Sequence, residues 1–210
     1  MLTLLPRFSS RLSVRFLGKA DDLTLPSNCA WLHQIHGKRT IRVYGPMDAT
    51  EQADGMITDV IGLPLVIRIA DCQNLCVVAP EKRVMGALHA GWRGLVAGAI
   101  EEFFAVLKKE WKIDPKDTWI AAGPSLCQAC AEFTDPLKEL PGIDPKFFDG
   151  RCVDLRGIAD AKFAALGVPK DRIERHPDCT RCNPETYWSY RAERSDVARG
   201  KHNLMVCTLM

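Results

Sequence analysis

The stretch LPLVIRIADCQNLCVVAPEKRVMGALHAGWRG, residues 63–94, decides how this chain folds. It contains three short apolar runs, Leu63–Ala70, Leu75–Ala79 and Val84–His89, which Gly, Pro or charged residues separate. Apolar runs of this length between turn residues are typical of buried strands. We therefore predict three adjacent strands, followed by a helix that begins near Trp92.

The flanking sequence predicts the other elements of a mixed domain. Apolar residues recur at helical spacing between Trp92 and Trp111, and a second helix is predicted over Leu155–Leu166, ending at Gly167. Further strands are predicted at Ile41–Tyr44, Thr118–Ala122, Ile173–Arg175, Thr186–Arg191 and Leu204–Leu209. Strands interrupted by two helices indicate an α/β or α+β domain, with irregular loops over Ser125–Arg151.

Composition narrows the class of protein. A chain of 210 residues with 47% hydrophobic and 26% charged residues is typical of a globular protein of one domain or two small ones. Its formal net charge of +2 gives no support for binding nucleic acid or anionic lipid. No apolar run approaches the roughly 20 residues of a membrane-spanning helix.

Cysteine usage indicates the compartment. Nine cysteines are an odd number, and the apolar run Leu2–Leu5 is too short for a secretory signal, so we predict a reduced, cytoplasmic protein. An organelle transit peptide is the alternative, because the first twenty residues are basic and lack acidic side chains.

Reactive side chains lie at or near the ends of the predicted strands. They belong to three motifs: Gln34-Ile35-His36-Gly37, Ala70-Asp71-Cys72 and His89-Ala90-Gly91-Trp92-Arg93-Gly94. His36, Cys72 and His89 suit Zn²⁺ with a fourth position open to water. The same residues suit a cysteine nucleophile with a histidine base. Their spacing is compatible with either the metal site or the nucleophile. The plain alternative is a buried core cysteine with hydrogen-bonded structural histidines.

Asp71 and Arg93 extend this candidate site. Asp71 is a candidate for proton transfer or for orienting a ligand histidine, so we group it with Cys72 and His89 as catalytic. Arg93 lies near the start of the predicted helix, where a cation opposes the helix dipole. A guanidinium in that position indicates that it binds an anion, and phosphate fits it well.

These motifs resemble the signature blocks of the YfiH-like family, which is labelled multicopper polyphenol oxidoreductase or laccase-domain and also purine nucleoside phosphorylase. The blocks are QIHG, ADGMIT (Ala53–Thr58), ADC and HAGWRG, in the family's order. Later matches are Gly123-Pro124, Cys130, Glu132, Cys179-Thr180 and Ser189-Tyr190-Arg191. The resemblance covers residues 31 to 209.

The resemblance implies a single α+β domain over residues 1–210, a mixed α/β sandwich with helices outside the sheets. It implies that His36, Cys72 and His89 bind Zn²⁺, or copper, and that Gln34, Arg93 and Arg191 line the substrate pocket. The implied partners are a purine nucleoside and phosphate. The implied reactions are phosphorolysis of adenosine, inosine and methylthioadenosine and deamination of adenosine. Copper-dependent phenol oxidation and a catalytically inactive metal-binding scaffold are the alternatives, and the oligomeric state stays open.

The sequence departs from the family pattern at several positions. Only thirty-three residues precede Gln34, which predicts a shortened N-terminal segment, and Asn74 stands where the family usually has proline. Two CxxC pairs, Cys127 to Cys130 and Cys179 to Cys182, would together suit a structural Zn²⁺. Because the gap between the pairs far exceeds that of a common zinc ribbon, we predict ordinary semi-buried thiols, or a disulfide formed during handling, instead.

Overall fold

The computed structural model describes residues 1–210, which form two large β-sheets, one small hairpin and five α-helices. The strands are β1 (Leu2–Leu4), β2 (Leu12–Leu17), β3 (Ala30–Trp31), β4 (Thr40–Arg42), β5 (Gly55–Thr58), β6 (Leu65–Ile69), β7 (Gln73–Ala79), β8 (Val84–Ala90), β9 (Trp119–Ala122), β10 (Phe148–Asp149), β11 (Cys152–Val153), β12 (Ile173–Arg175) and β13 (Asn203–Leu209). The helices are α1 (Trp92–Ala97), α2 (Ala99–Trp111), α3 (Pro136–Glu139), α4 (Leu155–Ala165) and α5 (Arg194–Ala198).

The two large sheets are both mixed. The five-stranded sheet has the order β1-β2-β13-β6-β3, and the six-stranded sheet has the order β12-β9-β7-β8-β5-β4. In the six-stranded sheet β7 runs antiparallel to both β8 and β9. In the five-stranded sheet β13 lies between β2 and β6 and is antiparallel to each. The small hairpin pairs β10 with β11.

Alternation along β7 explains how the layers stack. Leu75 and Val77 join the core beneath the helices, whereas Cys76 and Val78 join the core between the two sheets. Successive side chains of a strand point to opposite faces, so a strand buried on both faces reads as a continuous apolar run. The helices contribute Phe103 and other aromatic residues to the first core. The result is the predicted α+β sandwich in one domain, with helices covering one sheet.

Most predicted strands are confirmed, but the prediction that the first three are neighbours is wrong for β6. β7 and β8 pair with each other, whereas β6 belongs to the other sheet. The connection from β6 to β7 has only three residues, in which Asp71 has a φ of 88°. This short turn carries the chain from one sheet to the other, and Cys72 lies at the crossing.

Two further predictions need correction. The helix predicted over Trp92–Trp111 is two helices, because Gly98 between α1 and α2 adopts a left-handed φ of 87°. Such a residue ends a helix, and glycine adopts it at little cost. The strand predicted at Thr186–Arg191 is wrong, since these residues form turns. None of the helices is long and apolar enough to cross a bilayer.

Candidate metal centre and cleft

The structure brings His36, Cys72 and His89 together. His36 lies between β3 and β4, Cys72 directly precedes β7, and His89 is the penultimate residue of β8. Pairing of β7 with β8 places Asn74 opposite His89, so Cys72 and His89 end on the same side of the sheet. The ligand atoms of the three residues all lie within 4.8 Å of one another. These separations suit three donors around one ion.

Asp54 orients two of these groups, and its carboxylate is fully buried. It lies 2.8 Å from Nδ1 of His89, which leaves Nε2 of that ring free to bind a metal. The same carboxylate accepts backbone N–H bonds from His36 at 2.9 Å and from Gly37 at 2.7 Å. Asp54 therefore fixes the His89 ring and also the loop that carries His36.

Two residues of the site have left-handed backbone conformations. His36 has a φ of 60° and Asp71 a φ of 88°, values that are unfavourable for residues with a side chain. Such conformations cost on the order of 1–3 kcal/mol each and occur mainly where function requires them. The left-handed conformations lie in two of the three sequence motifs, the one with His36 and the one with Asp71.

The pKa values of the site are shifted towards charged forms. Burial raises the pKa of Cys72, but the charge of His89 and hydrogen bonds from both histidines outweigh burial and lower it to about 6. Burial lowers the pKa of His89, but Cys72 and Asp54 outweigh burial and raise it to about 9. For Asp54 burial again opposes the charged form, and the contacts with His89 and the loop N–H groups lower its pKa overall. The thiolate of Cys72 is therefore favoured, whereas His89 has to release its Nε2 proton when a metal binds.

Gly91 leaves the space that this site needs. A Cβ atom at Gly91 would lie 2.8 Å from Cδ2 of His36 and 3.1 Å from Sγ of Cys72. The first distance is too short for a carbon–carbon contact, so one of the two ligands would have to move.

We expect Gly91→Ala to weaken metal binding by at least about tenfold, because displacement of a ligand by a fraction of an ångström spoils the geometry. Metal content after dialysis against a graded series of chelator concentrations measures the effect. Gly45→Ala is the matched control, because a Cβ there would meet nothing within 4 Å. Equal metal affinity in the two variants would contradict the packing argument.

The three ligands lie in a cleft of about 820 Å³. Its aromatic lining is Trp92, Phe133 and Tyr190, and its basic lining is Arg68, Arg93, Arg191 and Arg194. Each guanidinium lies over an aromatic ring, at centroid distances between 4.2 and 5.7 Å. None of the four takes part in the ion pairs that other arginines make with carboxylates. The cleft therefore carries four guanidinium groups that make no ion pair, together with the carboxylates of Asp71, Glu132 and Glu139.

Asp71 and Gln34 lie at the cleft but use their polar atoms within the protein. Asp71 accepts a hydrogen bond from the Thr180 hydroxyl at 2.7 Å and another from the Arg191 backbone N–H at 2.7 Å. It does not contact His89, so the carboxylate that orients this histidine is Asp54. The Gln34 amide exchanges two hydrogen bonds with the backbone of Arg68. Arg93 and Arg191 are exposed and both line the cleft.

Sequence reasoning missed Asp54, Arg68 and Arg194. Asp54 stands in the ADGMIT motif, and the available signal was a single acidic residue within a buried apolar segment. Such a residue needs a partner, because an unpaired buried charge is costly. Arg68 offered the same signal, since it interrupts the apolar strand β6.

Comparisons with known proteins place this fold among known relatives. The family model described as multi-copper polyphenol oxidoreductase laccase matches residues 16–208. The chain is 32% identical over 183 residues to purine nucleoside phosphorylase ORF3 of Streptomyces griseus, covering 81% of this chain and 71% of that protein. It is 27% identical over 196 residues to adenosine deaminase RL5 of an unknown prokaryotic organism, covering 81% and 70%. The crystal structure of YlmD from Geobacillus stearothermophilus has a TM-score of 0.74 at 25% identity, covering 85% of this chain and 73% of that chain.

Proposed function

Since this chain belongs to the multi-copper polyphenol oxidoreductase laccase family, and relatives in it are named purine nucleoside phosphorylase and adenosine deaminase, we propose that it is a metal-dependent enzyme acting on purine nucleosides. The observation that carries the proposal is the meeting of His36, Cys72 and His89 in a cleft with four unpaired arginines. A metal site alone would fit many reactions, and an anion site alone would fit many ligands. Together they match a substrate pair of nucleoside and phosphate.

The donor set fits Zn²⁺. Two imidazoles and one thiolate are common zinc ligands, and three protein ligands leave a position for substrate or water, as in catalytic zinc sites. When bound, the ion would supply a Lewis acid and activate water at neutral pH. Copper also accepts two histidines and a cysteine. Oxidation of phenols by several coppers needs histidine clusters, however, and the only other group of potential ligands in the chain consists of four cysteines.

The cleft lining supports binding of both substrates. Tyr190 is 41% exposed and Trp92 is half-buried, so a purine base could stack on the face of either ring opposite its neighbouring arginine. Arg93 and Arg191 offer planar guanidinium groups, which bind phosphate oxygens in pairs. We therefore assign the purine to the aromatic residues and the phosphate to the arginines.

In phosphorolysis a phosphate oxygen forms a bond to C1′ of the ribose, while the bond from C1′ to the purine nitrogen breaks and the base leaves with a proton. Holding phosphate beside C1′ is the contribution we assign to Arg93 and Arg191, since orientation of a nucleophile can remove about 7–11 kcal/mol of barrier. Asp71 holds the backbone of Arg191 and the side chain of Thr180, so we assign it a positioning role. In deamination a water oxygen bonds to the purine carbon that carries the amino group, and ammonia leaves.

The test uses zinc-loaded protein with adenosine, in the presence and absence of phosphate. We expect adenine and ribose 1-phosphate to form only with phosphate, and inosine with ammonia to form without it. Formation of none of these products by protein that holds zinc would overturn the proposal. If copper-loaded protein instead consumes oxygen with a phenol as substrate, the protein is a phenol oxidase and the nucleoside proposal is wrong.

We expect Arg191→Ala to raise the KM for phosphate by about 10–100-fold, because a hydrogen bond to a charged group contributes roughly 1.5–3 kcal/mol. The rate of phosphate-independent deamination should change far less. Arg15→Ala is the control, since Arg15 is a half-buried arginine of β2 outside the cleft. An unchanged KM for phosphate in Arg191→Ala would contradict the assignment of the phosphate site.

A further inference from the structure

Four cysteines outside the cleft meet at one point, contrary to the expectation of ordinary thiols. They are Cys127 and Cys130 from one CxxC pair and Cys179 and Cys182 from the other. Their sulfur atoms all lie within 4.8 Å of one another, although 52 residues separate corresponding members of the two pairs. We propose that these four thiolates bind one structural Zn²⁺ ion, a second metal site distinct from the one in the cleft.

The distances between the sulfur atoms fit a tetrahedral ion. Sγ of Cys182 lies 3.5 Å from Sγ of Cys130 and 4.0 Å from Sγ of Cys127. Four sulfurs at about 2.3 Å from a tetrahedral Zn²⁺ are roughly 3.8 Å apart. A disulfide would instead require about 2.05 Å. The arrangement therefore matches four separate ligands and no disulfide.

Local backbone structure presents the sulfurs as a preformed set. Cys127 caps a single turn of 3-10 helix, Gln128–Cys130, of which Cys130 is the last residue, and the second pair also lies around a turn. The backbone N–H of Cys127 donates to Sγ of Cys179 at 3.3 Å. An N–H group that points at sulfur favours the thiolate, which is the form that binds metal.

Arg156 supplies charge and rigidity next to the cluster. Its guanidinium donates to backbone carbonyls of Ser125 and Leu126, which precede the first pair, and of Pro177 and Asp178, which precede the second. One side chain therefore holds the two segments together at the residues that directly precede the two cysteine pairs. Its positive charge also offsets part of the net charge of −2 that four thiolates around Zn²⁺ would carry.

The two joined segments both lead into the cleft. Leu126 and Phe133, from the first segment, line it directly. From the second segment, the Thr180 hydroxyl and the Arg191 backbone bind Asp71. Zn²⁺ at the four cysteines would thus fix two walls of the cleft relative to each other without contacting substrate. Its role is structural, and the inference holds whatever reaction the cleft performs.

The test is metal analysis of full-length His89→Ala protein, purified under reducing conditions and loaded with Zn²⁺. This variant lacks a ligand of the cleft site, so we expect it to retain one tightly bound zinc per chain. Adding Cys130→Ser and Cys182→Ser should remove that zinc. In the wild-type background the same two substitutions should lower the Tm by more than about 5 °C.

Cys152→Ser is the matched control, because Cys152 lies near the first segment but outside the group of four. We expect it to change neither the zinc content nor the Tm appreciably. If the double cysteine variant fails to fold, His89→Ala protein loaded with Co²⁺ should still give the visible absorption of a tetrahedral tetrathiolate site. Absence of zinc from His89→Ala protein, a disulfide within the group under reducing conditions, or iron in place of zinc would overturn the proposal.

Discussion

A Cys72→Ser variant is expected to lose the cleft metal and at least about a thousandfold of both nucleoside activities. Serine keeps the size of the side chain but replaces a thiolate with a neutral hydroxyl, which is a poor ligand for Zn²⁺. A Lewis acid contributes several kcal/mol to stabilising a transition state, and about 1.4 kcal/mol corresponds to a factor of ten in rate. Metal analysis and the adenosine assay measure the two losses on the same sample.

The pattern of losses separates the candidate roles of Cys72. Loss of metal together with activity supports Cys72 as a metal ligand. Loss of activity with the metal retained would identify Cys72 as a nucleophile and contradict its role as a ligand. Cys152→Ser is again the control, because Cys152 is a half-buried cysteine outside both ligand groups. Full activity in Cys72→Ser would place the chemistry elsewhere.

The second large effect is expected from Asp54→Ala. The substitution removes the oxygen that holds Nδ1 of His89 and the acceptor of the His36 and Gly37 N–H groups. Loss of a carboxylate that orients a ligand histidine costs about 10–100-fold in metal affinity. Each buried donor left without a partner adds on the order of 1–3 kcal/mol of destabilisation. We therefore expect weaker zinc binding by titration and a lower Tm in the metal-free protein.

Two companion variants make this prediction specific. Asp54→Asn keeps the volume but presents an amide N–H₂ towards N–H donors, so it should also weaken zinc binding. Asp48→Ala is the control, since Asp48 is an exposed acid on the same connection between β4 and β5. A fall in Tm without any change in zinc affinity would assign Asp54 a structural role only.

The sequence predicted individual strands and helices better than it predicted which strands pair with each other. The strands β7 and β8 were recognised because each is a continuous apolar run, and their pairing followed from the short turn between them. The position of β6 in the other sheet was not predictable in this way, because it depends on a three-residue crossing with a left-handed Asp71. The break at Gly98 was missed because apolar periodicity continues through it, while only backbone geometry ends the helix.

In the candidate site, too, individual residues could be predicted from the sequence, whereas their contacts could not. His36, Cys72 and His89 stood out because reactive side chains ended or adjoined apolar runs, and the resemblance then grouped them. The contact of Asp54 with His89 needed the register between β5 and β8, which periodicity does not supply. The two CxxC pairs were recognised as potential zinc ligands, but their separation in sequence did not reveal that the four sulfur atoms lie within 4.8 Å of one another.

The position of β13 has a consequence for biosynthesis. This strand lies in the middle of the five-stranded sheet, although it follows the other twelve strands in chain order. Until residues 203–209 emerge, β2 and β6 lack the partner between them and expose unpaired backbone and the apolar faces of the inter-sheet core. Such intermediates are prone to aggregation. Newly made chains should therefore depend on chaperones until β13 has emerged, and truncation within β13 should yield insoluble protein.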